Sequence, residues 1–443
     1  MNRLSAFVAF ACLTLLGAAP AASAMTIEKI VSPSGIPAWL VREQTVPLIT
    51  LNYAFSGGSS QDAAEKSGTA NLAADLLDEG AGELDGKAFH ERMENHAIEL
   101  GFRVGRDDFH GSLRALNEHR DEAFELLRLA LTAPRFAADD VDRVRGQELS
   151  GLLRDSTNPN TVASQQWWAA AFPGHPYGRE SKGTMETLPR VTVDDLRDYV
   201  RRTFARNALT ISVVGDVDAK TAGELIDRAF GGLPAKNDLR PVADVTPRGL
   251  GRRIVVNLDV PQAVVNFGGS GLARKDPDFM AGYIVNHILG GGSFSSRLYR
   301  EVREKRGLAY GVSDSLIWFK HAAVIVGGTA TQADRTADAL TIIEAEKKRM
   351  AEEGPTPEEL AAAKSFLKGS YALSLDTSAK IAAQLTQIQL DDLGIDYVTR
   401  RSAMIDAVTL DDAKRVAKRL YGGGMLVTVA GRPKGLTSLE MIR

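Results

Sequence analysis

Short apolar, β-rich stretches alternate along this chain with longer stretches of helical periodicity. The strand-like stretches include Ile49–Phe55, Phe102–Val104, Ala208–Val214, Val255–Val256, Ala322–Val326 and Met425–Val429. "HERMENHAIELGFRVGRDDFHGSLRAL" reads as a helix and then a β-hairpin that pivots near Gly105-Arg106-Asp107. "SGTANLAADLLDEGAG" (67–82) reads as a short helix. Asn71 and Asp75, four residues apart, share one of its faces, and Gly80 caps its end.

The pattern occurs twice. "VPLITLNYAFSGGSSQD" from Val46 and "VPQAVVNFGGSGLARKD" from Val260 match at Val46/Val260, Pro47/Pro261, Asn52/Asn266 and Asp62/Asp276, always 214 positions apart. The far ends correspond as well. "TVDDLRDYVRRTFARNALTISVVGDVD" from Thr192 is similar to "TLDDAKRVAKRLYGGGMLVTVAGRPK" from Thr409. Each opens on a Thr-x-Asp-Asp helix start and continues through an amphipathic helix and a turn to a strand ending in Gly. This duplication predicts two homologous tandem domains of the α+β class, each a mostly antiparallel sheet with helices on one face. They are expected over 25–235 and 253–443. The join at 236–252 lies in a stretch rich in Pro, Gly and charge that has no clear period.

Composition narrows the setting. Residues 1–24 carry Arg3, an apolar stretch over Leu4–Leu16 and a small-residue site at Ala22-Ser23-Ala24, the pattern of a secretory signal peptide. The product is expected to be exported, and periplasmic if the host is Gram-negative. The single cysteine, Cys12, lies inside that segment, so the processed chain has no disulfide and no thiolate metal site. A formal net charge of −3 argues against general nucleic-acid binding. No later apolar run reaches the roughly 20 residues that span a bilayer, so no membrane insertion is expected after cleavage.

The residues alone give little chemistry. His90 and His96, six apart, fall on different helix faces, and His110, His119, His175, His287 and His321 show no ligand spacing. Asn71 with Asp75, Asp78 and Glu79 reads as a solvated helix face. "GGGSFSSR" (290–297) lacks the Gly-Lys-Ser/Thr ending of a phosphate loop and reads as a flexible loop. Trp167 and Trp168 lie on a helix, one expected in the core and the other at a cavity or interface.

The strand, Gly-Gly turn and Gly-x-Ala helix, set in a tandem repeat, resemble the insulinase/pitrilysin family of zinc metallopeptidases. So do "HPYG" (175–178), "LGGGSFSSRLYREVREKRGLAYGV" (289–312) and "GPTPEELAAAKSFLKG" (354–369). The resemblance covers nearly all of the chain after residue 24. Bacterial and mitochondrial-processing-type members are nearest in length. In that family the helix carries His-x-x-Glu-His. Two imidazoles at i and i+4 hold one Zn²⁺, the Glu acts as base on the metal-bound water, and a later helix supplies a third, Glu ligand. This sequence has Asn71, Ala74 and Asp75 at those positions. Gly151 stands at the distal one, with Glu148 about one helical turn away. The resemblance therefore implies a zinc helix without its ligands or base, no cofactor bound by this chain and no catalysis in cis.

"REKRGLAY" sets Arg303 and Tyr310 seven residues apart. That is the spacing at which the C-terminal half of active members supplies an Arg and a Tyr to the substrate carbonyl. A guanidinium and a phenol are apt donors to a developing oxyanion. The resemblance implies a catalytically incomplete subunit of a heterodimeric zinc endopeptidase. It would bind peptide and lend Arg303 and Tyr310 to the zinc site of a homologous catalytic partner. Another reading stays open: Arg303 in a surface ion pair with Glu301 or Glu304, Tyr310 in the core, and an exported peptide-binding or scaffold protein with no catalytic role.

Overall fold

Strands β3 (Leu48–Ser56) and β10 (Gln262–Ser270) begin and end 214 positions apart, the offset of the sequence repeat. The computed structural model describes residues 25–436 and 439–442, so the expected signal peptide lies outside the described residues. Around β3, the first sheet adds β1 (Glu28–Val31), β2 (Pro37–Arg42), β6 (Glu99–Val104), β7 (Asp108–Leu116) and β8 (Leu209–Gly215). Its order is β1-β2-β8-β3-β7-β6, antiparallel except between β2 and β8. Two short strands, β4 (Gly80–Ala81) and β5 (Leu84–Asp85), form a separate ribbon.

The second sheet joins β10 to β9 (Arg253–Val256), β11 (Ala309–Trp318), β12 (Ala323–Gln332), β13 (Leu426–Ala430) and β14 (Leu439–Ile442). Its order is β11-β12-β10-β13-β9-β14. The β13–β9 and β9–β14 pairs are parallel and the others antiparallel. Both halves are thus mostly antiparallel α+β units, as the duplication predicts.

The first half contributes helices α1 (Thr69–Ala74), α2 (Gly86–Asn95), α3 (Arg120–Thr132) and α4 (Ala138–Asp155). After them come α5 (Pro159–Ala171), α6 (Val193–Thr203) and α7 (Ala219–Phe230). The second half contributes α8 (Phe279–Asn286), α9 (Arg297–Tyr299), α10 (Thr336–Glu353) and α11 (Pro357–Leu373). Then follow α12 (Ser378–Leu390), α13 (Tyr397–Ala407) and α14 (Leu410–Tyr421). The two Thr-x-Asp-Asp signals are both capping boxes: Thr192 with Asp195 opens α6, and Thr409 with Asp412 opens α14.

The sheets are covered on both faces, not on one. Leu40 and Val213 point into the first half's own core, whereas their neighbours Val41 and Val214 pack against Ala382, Leu385 and Ile388 of α12, from the second half. The exchange is reciprocal. Val255 and Val427 face the second half's core, while Ile254 and Leu426 pack on Trp167 and Ala171 of α5, from the first half. Alternate residues of one strand point to opposite faces, so strands buried on both sides read as continuous apolar runs. Ser212 and Thr428, equivalent in the repeat, mark the seams. Ser212 receives hydrogen bonds from Thr386 (3.1 Å) and Gln389 (2.9 Å), and Thr428 donates to the carbonyl of Ala163 (2.7 Å).

The stretch between the halves forms no helix or strand, yet it is pinned along its length. Arg240 exchanges backbone hydrogen bonds with the Gln61 amide (2.7 and 3.1 Å), Val245 donates to His321 and Arg248 to Ala171. The hairpin turn at 105–107 is also a tie between halves. Asp107 accepts from the Tyr177 hydroxyl and from the backbone N–H of Lys320.

Candidate functional site

Helix α1 starts beside a buried carboxylate. Asp62 accepts from the N–H groups of Gly68 (2.9 Å) and Ala70 (3.0 Å), two of the donors that the first helical turn leaves unpaired. Gly68 has φ of +101°, and a Cβ there would meet the carbonyl oxygen of Lys182 at 2.7 Å. The helix is shorter than its sequence suggests. It ends at Ala74, Asp75 is its C-cap, and a run of turns leads to Gly80, which has φ of +114° and opens β4 rather than capping a helix.

The residues that the resemblance sets at the zinc and base positions are engaged otherwise. Asn71 donates its side-chain amide to the carbonyl of Ser181, so its polar group is already engaged. Ala74 is buried and packs in the core. Asp75 is exposed, yet its carboxyl is pushed up to about 6, first by desolvation from surrounding protein and then by the Glu148 carboxylate. Gly151 lies on α4, where a Cβ would meet only Arg154 at 3.8 Å. One engaged amide, one methyl group and two mutually repelling carboxylates do not fit a Zn²⁺ that wants two imidazoles and an unprotonated carboxylate. Among the described residues no three His, Cys, Asp or Glu side chains are grouped to hold a metal.

The histidines are engaged in local structure. His90 and His96 each turn a ring nitrogen to a carbonyl four residues back, and His96 packs edge-on against His119 at 4.9 Å, a pairing that spacing along the chain did not reveal. His175 contacts the carbonyl of Ala243, His321 pairs with Asp244, and buried His287 stacks on Phe366. Burial, aided by Arg103 and Lys320, lowers His110 to about 4, so it is neutral at ordinary pH.

Arg303 and Tyr310 come together in the second half. They line one open groove of about 510 Å³ with Asn266, Phe294 and Tyr299, and with Asn160 from the exchanged helix α5. Arg303 lies in the turn after α9, whose Arg297 is buried and anchored to Glu359 by two hydrogen bonds. Burial alone would raise the Glu359 carboxyl, but the Arg297 guanidinium holds it below its usual value. Glu301 is bound by Lys305 and Arg306 (both 2.7 Å), and Arg303 has no ion pair among the described residues; its guanidinium lies 4.9 Å from the Tyr299 ring.

Tyr310 is 84 % exposed, so it is not the core residue that the alternative reading requires. It sits where the β11–β12 register slips between Ala309 and Val312, on a strand at the edge of its sheet. A bulge of this kind re-aims side chains out of the regular alternation. Phe294 is 73 % exposed and meets Tyr299 edge-on at 5.1 Å. The Gly-rich stretch expected to be a flexible loop is a wide helical turn over His287–Gly291 and then a tight one over Ser293–Ser295. Trp167 is fully buried between the halves and donates to the carbonyl of Leu426 (3.2 Å), while Trp168 lies under Arg106 at 4.2 Å.

Comparisons with known proteins give the family. A family profile described as the "Peptidase M16 inactive domain" matches residues 190–367. The chain is 30% identical to an uncharacterized zinc protease of Streptomyces coelicolor, over 72% of this chain and 70% of that protein. It is 29% identical to the non-peptidase homolog YmxG of Helicobacter pylori, over 80% and 82% of the two chains. The crystal structure of a peptidase M16 inactive domain from Pseudomonas fluorescens superimposes with a TM-score of 0.86 and 26% identity, covering 95% of this chain and all of that one. The chain belongs to the M16, or insulinase/pitrilysin, peptidase family.

Proposed function

We propose that this chain is the non-catalytic subunit of a heterodimeric zinc endopeptidase, binding peptide and lending Arg303 and Tyr310 to a homologous partner's active site. The observation that carries this reading is the state of those two side chains. Both line an open groove, neither has a hydrogen bond or ion pair among the described residues, and Tyr310 is almost fully exposed. An unpaired guanidinium and a free phenol are donors in search of an acceptor, and a peptide carbonyl polarised in the partner's site would be one. The zinc and its activated water would belong to the partner. This chain would orient the carbonyl and meet the negative charge that develops on its oxygen.

The name of the Helicobacter relative, a non-peptidase homolog, supports a chain without activity of its own. Export to the periplasm of a Gram-negative host fits the N-terminal segment and is part of the same proposal. The test is reconstitution. The purified chain alone should carry no stoichiometric zinc and cleave no peptide, and adding its zinc-bearing partner should produce activity. Zinc-dependent cleavage by the isolated chain would overturn the reading.

A further inference from the structure

Among the described residues, helix α7 has no counterpart in the second half. After β8 it lies along α3 and buries Ala222, Leu225, Ile226, Ala229 and Phe230. After β13 the described chain leads instead to β14, which takes the sheet edge held by β1 in the first half. Beside α10, the equivalent of α3, an open cleft of about 910 Å³ remains between α10, α14 and the starts of β9 and β13.

The charges in this cleft do not cancel. Arg253 is paired with Glu344 at 2.6 Å, and Lys348 lies 3.8 Å from Glu352. Lys347 and Lys418 remain without an ion pair or hydrogen bond among the described residues, and both line the cleft. Lys347 is only 8 % exposed. Burial disfavours its charged form, and two carboxyls oppose this. Asp314 is fully buried, hydrogen-bonded by Asn286 (2.7 Å) and pushed up to about 7 by that burial, which makes it a weak counter-charge at neutral pH, and Glu344 is already paired with Arg253. The Lys347 ammonium faces the Tyr421 ring at 5.9 Å but has no anionic partner at hydrogen-bonding distance among the described residues. A buried ammonium so placed is costly, and an anion entering the cleft would reduce that cost. The Gly422–Gly424 loop follows α14, and the N–H groups of Gly423 and Gly424 have no acceptor among the described residues. Ala351, Tyr421, Met425 and Val427 supply an apolar lining.

We propose that this cleft binds an organic oxyanion, a carboxylate or phosphate group on an apolar body. Lys347 is its ion partner, and Lys418 with the N–H groups of Gly423 and Gly424 are further donors. The site is separate from the Arg303/Tyr310 groove and does not depend on the function proposed for it.

The test is a fluorescence titration of the full chain with anilinonaphthalene sulfonate, followed by displacement with three competitors. These are inorganic phosphate, a short apolar peptide with a free C-terminal carboxylate, and the same peptide amidated. Saturable binding at one site is expected, with displacement by phosphate or by the free acid but not by the amide. Which of the two displaces identifies the source of the anion. Lys347→Met should weaken binding about tenfold, the loss of one charge-assisted contact. Because that change also touches Asp314, Gly423→Asp serves as an independent variant. A Cβ there meets nothing within 4 Å, so the fold is undisturbed while a carboxylate enters the cleft, and binding should again fall about tenfold. Absence of saturable binding, failure of both phosphate and the free acid to displace the probe, or unchanged affinity in both variants would overturn the proposal.

Discussion

The guanidinium of Arg303 lies 4.9 Å from the ring of Tyr299 and has no carboxylate partner among the described residues, although Glu301, two residues before it in the chain, binds both Lys305 and Arg306. The local acid is saturated by two other cations, so the charge of Arg303 is available to something outside the chain. Tyr310, aimed outward by a bulge on an edge strand, is available in the same groove.

Removing these groups should therefore cost little stability. Arg303→Ala loses one half-exposed cation–π contact and Tyr310→Phe loses a free hydroxyl, so each should change unfolding free energy by no more than about 1 kcal/mol. Chemical denaturation of the isolated chain measures this. A loss of about 3 kcal/mol or more in either variant would mark the side chain as structural.

The seam between the halves should behave in the opposite way. Trp167 is fully buried, packs on Ile254, Val324 and Leu426 of the second half, and donates to the Leu426 carbonyl. Trp167→Ala should cost about 3–5 kcal/mol through a cavity and an unsatisfied carbonyl. If the exchanged helices bind the halves into one cooperative unit, wild type should unfold in a single transition. The variant should broaden or split it in calorimetry.

Asp314 gives a signed pH dependence. Its folded carboxyl is raised to about 7 by burial, above its unfolded value, so the folded state holds the proton more tightly. The contribution is fully present below the unfolded value and is lost as pH rises through about 7, with a slope of up to about 1.4 kcal/mol per pH unit. Asp314→Asn should flatten the fall in stability between weakly acidic and neutral pH. Denaturant midpoints measured across that range would reveal an unchanged slope if the carboxyl titrates normally.

Metal restoration should need more than the two helix ligands. Asn71→His with Asp75→His supplies two imidazoles, but Gly151 still gives no third ligand and Ala74 no base. That double variant is expected to bind zinc weakly and to hydrolyse no peptide. Metal analysis after gel filtration, with a peptide-cleavage assay, checks both parts.

Much of this architecture was legible from residues alone. The matched Val-Pro strands and the paired Thr-x-Asp-Asp starts gave the duplication, because strand registers and helix caps are local and leave fixed spacings. That Ala74 and Gly151 carry no ligand chemistry was equally plain, since an alanine and a glycine side chain have no donor atom in any conformation. The exchange of α5 and α12 was hidden. A helix's apolar face says that it must be covered, not which sheet covers it, and Val41 and Val214 looked like ordinary strand residues. The early end of α1 was hidden too, because nothing in Asp75–Glu79 forbids a helix; the tertiary setting ends it. His96 and His119 meet only through folding, and the ring of groups around Arg303, Asn160 included, is assembled from both halves.

The most direct test of the central claim is turnover by the reconstituted complex with Arg303→Ala or Tyr310→Phe in this chain, measured alongside assembly by analytical ultracentrifugation. Assembly should be intact and zinc content unchanged, with kcat falling about 10²–10³-fold for Arg303→Ala and clearly for Tyr310→Phe, as expected when a donor to the developing oxyanion is removed. Full turnover by an assembled complex carrying both substitutions would contradict that claim.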